Sequence, residues 1–295
     1  GQVTLDLRAS ELVGEAVVTA RRQGASPEPV NVAFTKPRDA EAVNNLIDFD
    51  PNSTDPDAST PPTLDDYTDA GVETAKEENV PAYNSAIENL DLSIEEIEKM
   101  VDSYNQVLEE AGSGNATLTE EDFANLGITV TDPIELSLLN SIVANEDPET
   151  LKNHDVLLAI AEVVKRLMAW VQGQQVSPPI TLADLELIGL TGIPEGKLDV
   201  VLNALFNHPD GLLAIPSIGA LQALADAALL EQAGSDLVGF DPDSEDPSAS
   251  TPPTLNNYIE AGIEAAKEDN VTAYNSAIEN LDLSIEEIEK MVESY

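Results

Sequence analysis

AYNSAIENLDLSIEEIEKMV occupies Ala82–Val101 and, letter for letter, Ala273–Val292. The gap-free match runs from Phe49–Tyr104 to Phe240–Tyr295, 191 positions apart, and two diverged copies lie between. Within this stretch Ser93-Ile-Glu-Glu96 has the form of a capping box, as does Ser284-Ile-Glu-Glu287. Ile94, Ile97, Val101 and Tyr104 then recur at helical spacing, which predicts an amphipathic helix. Leu157, Ile160, Val164 and Leu167 form the same stripe in the second copy, and Ile218, Leu221 and Leu224 in the third. Repetition of this kind is the usual build of spacers and multivalent binders, whereas an enzyme more often carries one site on one unique scaffold.

Each copy opens alike. Thr63, Thr119, Thr181 and Thr254 stand at helix N-cap positions, followed three residues on by Asp66, Asp122, Asp184 and Asn257. Tyr67, Phe123, Leu185 and Tyr258 come next, then Gly71, Gly127, Gly189 and Gly262, where a short helix should stop. An aliphatic residue follows: Val72, Ile128, Leu190 or Ile263. A second helix carries Asn84, Asn140, Asn203 or Asn275, at 13, 13, 14 and 13 residues from the glycine. Asparagine sits poorly inside a helix unless its amide finds a partner, so a structural hydrogen bond to the loop after the first helix is expected. One short and two longer helices per copy make the fold mainly α. They read as tandem small three-helix bundles behind a short N-terminal β segment.

The expected organisation is a β segment at 1–38, an acidic Pro-rich linker at 39–62, and helical modules at 63–116, 117–176 and 177–234. A second linker at 235–253 and a fourth, truncated module at 254–295 complete it. In the first segment Val3–Leu7 alternates with period two, and Glu15–Ala20 and Val30–Phe34 are further β-rich runs around turn residues 23–29. The first linker has a helical spot at Ala40–Ile47, and its segment Phe49–Pro62 has too few apolar residues and too many prolines to pack. Breaks are expected on both sides of the helical array, after the strands and between modules three and four. The last copy stops at Tyr295 where its twin continues past Tyr104, so the chain reads as a segment of a longer protein.

Composition narrows the function. Fifty-six acidic against 13 basic residues give a formal net charge of −43. Phosphate binding needs clustered Lys and Arg, so nucleic acid is excluded as a partner, and an anionic membrane surface with it. No apolar run reaches the roughly 18–20 residues of a membrane span. The chain has no cysteine, hence no disulfide or thiolate chemistry. His154 and His208 fall in different copies, with no partners patterned for a Ser–His–Asp or zinc site. No catalytic residue is proposed, and the chain reads as non-enzymatic. Trp170, beside Leu167, Met168 and Val171, belongs to packing or a module junction.

The candidate chemistry lies in the linkers. Asp48, Asp50, Asn52 and Asp55 follow the D-x-[DN]-x-[DN] opening of a calcium loop, and Asp241, Asp243 and Asp246 stand in the twin. Carboxylates two residues apart can converge on Ca²⁺, which takes six to eight oxygens. The Gly of a complete calcium loop is missing and Ser59 stands at its twelfth position, so a solvated, self-repelling spacer is the competing reading.

The pattern L-x-x-Y-x-x-A-G-V … Y-N-x-A-I … I-x-x-M-V, over residues 63–295, resembles the helical repeats of large bacterial surface proteins and adhesins. It is also similar to the three-helix GA modules of Gram-positive surface proteins. Residues 1–38 resemble the last strands of a bacterial immunoglobulin-like repeat. These resemblances imply an extracellular, cell-surface location and a structural role. They imply packing against other repeats of the same parent chain, or multivalent engagement of a host or environmental protein through exposed helix faces. GA modules bind albumin through their second and third helices. Glu88, Glu95, Glu98, Glu286 and Glu289 make those faces acidic here.

Overall fold

Four threonines start four short helices by the same device. Asp66 accepts the Thr63 N–H at 2.7 Å, Asp122 that of Thr119 at 2.8 Å, Asp184 that of Thr181 at 2.7 Å and Asn257 that of Thr254 at 2.7 Å. Each helix is closed by its glycine, at φ +92°, +74°, +96° and +83° for Gly71, Gly127, Gly189 and Gly262. The left-handed turn lets the next residue reach back: Val72, Ile128, Leu190 and Ile263 donate to the carbonyls of Tyr67, Phe123, Leu185 and Tyr258.

The computed structural model describes residues 14–20, 28–34, 38–281 and 283–295, and it is mainly α-helical. Contacts divide the chain into two compact units. One holds residues up to 108 together with 125–127 and 152–155, and the other holds the remainder.

In the first unit β1 (Gly14–Ala20) and β2 (Glu28–Phe34) pair antiparallel, with Gly14 opposite Phe34. The expected strand at Val3–Leu7 and residues 23–27 of the turn expected at 23–29 lie outside the described residues, and Glu28 and Pro29 of that turn stand in β2. Next come α1 (Ala40–Ile47), α2 (Pro56–Ser59), α3 (Leu64–Asp69), α4 (Val80–Asn89) and α5 (Ile94–Glu110). Residues 39–62, expected to be a linker, are instead hydrogen-bonded and partly packed. Asp39 caps α1 by accepting from Glu41 N–H at 2.8 Å, and Ala42 and Leu46 are buried. Asp50 N–H donates to Ala58 O at 2.9 Å, which closes the loop. Asp55 caps α2, whose first residue is Pro56. Proline suits that position because the N–H it lacks would be unsatisfied anyway. Polar side chains partner the backbone where apolar residues are too few to do the work.

The second unit continues with α6 (Glu120–Asn125), α7 (Pro133–Asn145), α8 (Pro148–Leu151), α9 (His154–Val171), α10 (Leu182–Leu187) and α11 (Leu198–Asn207). Then follow α12 (Ile218–Val238), α13 (Pro247–Ser250), α14 (Leu255–Glu260), α15 (Val271–Asn280) and α16 (Ile285–Ser294). The break expected at 234–235 does not occur: α12 runs through it for 21 residues. Its Ala- and Leu-rich sequence favours helix, and Gly234 costs only about 1 kcal/mol against Ala. In α12 the buried residues are Leu221, Ala225, Ala228, Ala233 and Leu237, and of the expected stripe Ile218 and Leu224 are only half-buried.

The tail of α12 explains why the helix continues. Ala233 and Leu237 join Tyr258, Ile263, Tyr274, Ile278, Ile288 and Val292 in one apolar cluster. The first unit buries Ala42, Leu46, Tyr67, Val72, Tyr83, Ile87, Ile97 and Val101, the same positions 191 residues earlier. The structural repeat therefore begins in α1, seven residues before the sequence match at Phe49.

Candidate functional site

The linker acids make backbone turns. Asp50 Oδ1 accepts the Asn52 N–H at 2.9 Å and Asp55 Oδ1 accepts that of Asp57 at 3.1 Å. In the other copy Asp241 Oδ1 accepts the Asp243 N–H at 3.0 Å, and Asp246 N–H donates to Ser244 Oγ at 3.1 Å. Asp48 closes α1 through its backbone N–H to Asn44 O, and Asn52 and Asp243 are exposed. The seven residues read as calcium ligands are thus disposed along two turns of chain. Among the described residues no three Asp, Glu or His groups are placed to hold a metal ion.

Beside the first turn is an open groove of about 800 Å³, lined among others by Glu41, Asp48, Asp55, Asp57 and Asp66. Burial pushes Asp66 up, but hydrogen bonds from Thr63 and Asn45 outweigh it and hold the carboxyl below its ordinary value. The sequence of the other copy has Gln232, Gly239, Asp246, Ser248 and Asn257 at these positions. The turn is repeated, whereas the acidity is not.

The recurring asparagine has a definite role. Its Nδ2 donates to the carbonyl just before the threonine cap: Asn84 to Pro62 O at 2.9 Å, Asn140 to Leu118 O at 2.9 Å and Asn275 to Pro253 O at 2.7 Å. The bond goes to the loop before the first helix and not, as expected, to the loop after it. Its Oδ1 accepts from Tyr67 OH at 2.8 Å, Leu118 N–H at 2.9 Å and Tyr258 OH at 2.6 Å. The alternation has a chemical reason. Pro62 and Pro253 lack an N–H, and there a tyrosine hydroxyl supplies the donor. Leu118 has an N–H, and there Phe123 stands in place of tyrosine.

Asn203 does not belong to this set. At 14 residues from its glycine it is turned by one helical position and is exposed. Asn89, Asn145 and Asn207 each donate to the carbonyl four residues back, which fixes the register and puts Leu202 at the place of Asn84. With Ile180, Leu185 and Leu202 the third copy makes the joint apolar, and all three are buried.

Two polar centres of the first unit escaped the sequence reading. Asn105 Nδ2 donates to Thr74 O at 2.9 Å, and its Oδ1 accepts from Asn79 Nδ2 at 2.8 Å and from the Tyr83 hydroxyl. A helical Asn directly after the apolar stripe is the signal that could have found it. The other centre is His154, fully buried as the first residue of α9. Its Nε2 lies 2.9 Å from Leu126 O, its Nδ1 has no partner, and its ring is 6.1 Å from that of Tyr104. Burial pushes the imidazole below its ordinary value, against smaller opposing effects of Leu126 O and Asp155. His208 is half-buried at the end of α11, where its Nδ1 accepts the Asp210 N–H at 3.2 Å.

In the second unit Trp170 donates to Leu202 O at 3.0 Å and packs 5.9 Å from Phe206, so the indole joins α9 to α11. Arg166 pairs with Asp184 at 2.7 Å and holds that carboxyl below its ordinary value. Glu135 is buried, with Oε2 accepting the Thr131 N–H at 3.3 Å. Most of the recurring polar groups described here are engaged in holding chain segments together. No family model, curated protein or solved structure matches the chain.

Proposed function

We propose that this chain is a non-enzymatic spacer from the repeat region of an extracellular bacterial surface protein, built of tandem small helical bundles. The observation that carries the reading is the use made of the repeated residues. Thr caps, left-handed glycines and the Asn84, Asn140 and Asn275 amides all serve the internal frame, so what the repetition preserves is architecture. In an array of this kind each copy draws stability from its neighbours, and length is set by copy number. A net charge of −43 keeps such an array soluble and opposes its collapse.

Small-angle X-ray scattering tests the proposal. A compact globule of this length has a radius of gyration of about 19 Å. The spacer reading expects a clearly larger value, the same in chelator and in millimolar calcium. A value near that of a globule would sink it.

A further inference from the structure

Residues 82–104 and 273–295 differ only at Asp102, where Glu293 stands. Their shared apolar core is formed alike, but one face differs. Ala86 and Tyr104 are 0% exposed and Ser103 is 2% exposed, whereas Ala277 is half-buried, Ser294 exposed and Tyr295 57% exposed. Leu90 is half-buried, while Leu281 is 53% exposed.

The cover on the first face consists of residues 125–127 and 152–155. Asn125 Nδ2 donates to Ser103 Oγ at 3.1 Å, the His154 backbone N–H donates to Ser85 Oγ at 3.0 Å, and the His154 ring lies against Tyr104. Leu90 lies over Gly127 so closely that an added Cβ would stand 2.6 Å from its Cδ2. The helix-start contact is made again within the second unit, where the Ile218 N–H donates to Ser141 Oγ at 3.1 Å.

We propose that the face carrying Ala277, Leu281, Ser294 and Tyr295 is a docking surface for one kind of occupant, a helical segment of the 118–171 type. Such a segment ends its short helix in Asn-Leu-Gly and opens its long helix with a backbone N–H that finds its acceptor outside that helix. The face is continuous in kind with an interface this chain already makes, since the same side chains in the same local fold hold that segment at residues 82–104. A left-handed glycine gives the leucine room and the first turn of a helix brings the donor, so an arbitrary apolar partner does not meet both requirements. The inference extends the spacer reading to a particular surface, and its test reads that surface alone, leaving the scattering result to stand or fall separately.

The experiment appends residues 105–176 after Tyr295 of the full chain, so that they follow it as they follow Tyr104. The chain has no cysteine, so Ser294→Cys supplies a single thiol whose rate of maleimide labelling reports exposure. Labelling is expected to be fast in the parent and about tenfold slower or more in the extended chain, as for a site that reacts only when the contact opens. Leu281→Asp, or Gly127→Val in the appended copy, should restore the fast rate. Equal rates in parent and extended chains would overturn the proposal, as would a slowing that neither substitution reverses. A thiol that slows only when the unextended parent is concentrated would assign the face to a second copy of the chain, and would overturn it as well.

Discussion

Ser85 accepts on its Oγ the backbone N–H of His154 at 3.0 Å, and so satisfies one of the orphan donors at the start of a long helix. The side chain acts as an N-cap supplied by a residue 69 positions away in sequence. Ser85→Ala should therefore behave as a lost cap and cost about 1 kcal/mol, up to about 2. Urea unfolding at neutral pH measures it. Ser85→Thr, which keeps the acceptor, should recover part of the loss.

The same tyrosine in two settings gives a sharper contrast. Tyr104 is fully buried against Tyr83 and His154, whereas Tyr295 touches Tyr274 at 5.6 Å and is 57% exposed. Tyr104→Ala should cost about 3–5 kcal/mol, the range for deleting a buried aromatic. Tyr295→Ala loses an edge-on ring contact and should cost about 0.5–1.5 kcal/mol. Denaturation of the two variants side by side checks the difference. Equal losses would mean that the two faces are equally covered in solution.

Asn84→Ala, Asn140→Ala and Asn275→Ala each leave a loop carbonyl without its donor and should each cost about 1–3 kcal/mol. Asn203→Ala, at an exposed position, should stay within about 0.5 kcal/mol. Thermal unfolding of the four variants separates the register found in the structure from the one read by motif alone.

That contrast shows what the sequence can and cannot disclose. Thr63 and Asp66, or Tyr67 and Gly71, act within one turn, so caps, helix stops and the Ile94–Tyr104 stripe were legible as local chemistry. Asn203 misled because a spacing of 14 instead of 13 turns a side chain by about 100°, which the motif letters do not show. The linkers misled for a different reason. Their composition is that of a solvated chain, but Asp50 and Asp55 close turns on the backbone, and Ala233 and Leu237 are claimed by a core far along the sequence. The calcium reading rests on those same acids, of which Asp50, Asp55 and Asp241 each accept the N–H two residues on. Burial of His154 could not be read at all, because residues of separate copies create it.

His154 makes stability depend on pH. Its folded value lies below the ordinary 6.5, so the unfolded chain binds the proton more readily. The neutral ring's contribution is therefore full above about pH 6.5 and is lost as pH falls from there toward the folded value. The groups at the ring are Tyr104 of α5 and the Leu126 carbonyl, Ser85 of α4 holds the backbone N–H, and Asp155, beside it in sequence, carries a charge that partly opposes the loss. Wild type and His154→Gln should keep a constant stability difference from pH 8 to pH 7. Between pH 6.5 and pH 5 the wild type should lose stability relative to the variant. A difference that stays flat throughout would place the imidazole in contact with water.

Gly127 and Gly189 occupy the same left-handed position in two copies but face different neighbours. An L residue at such a φ costs about 1–2 kcal/mol, and this cost is common to Gly127→Ala and Gly189→Ala. At Gly189 the new methyl would meet Ile218 at 3.6 Å, an ordinary contact, so the conformational cost should be the whole effect. At Gly127 it would stand 2.6 Å from Leu90 Cδ2, and overpacking should add about 1–3 kcal/mol. The conflicting atom is the tip of a side chain, so the extra loss has a specific remedy. Leu90→Ala combined with Gly127→Ala should be less destabilising than the sum of the two alone, by about 0.5 kcal/mol or more. Leu90→Ala should give no such coupling with Gly189→Ala. Additivity in both pairs would show that Leu90 does not rest on Gly127, and with that contact would go the principal reason for expecting Leu281 to seek a glycine of its own.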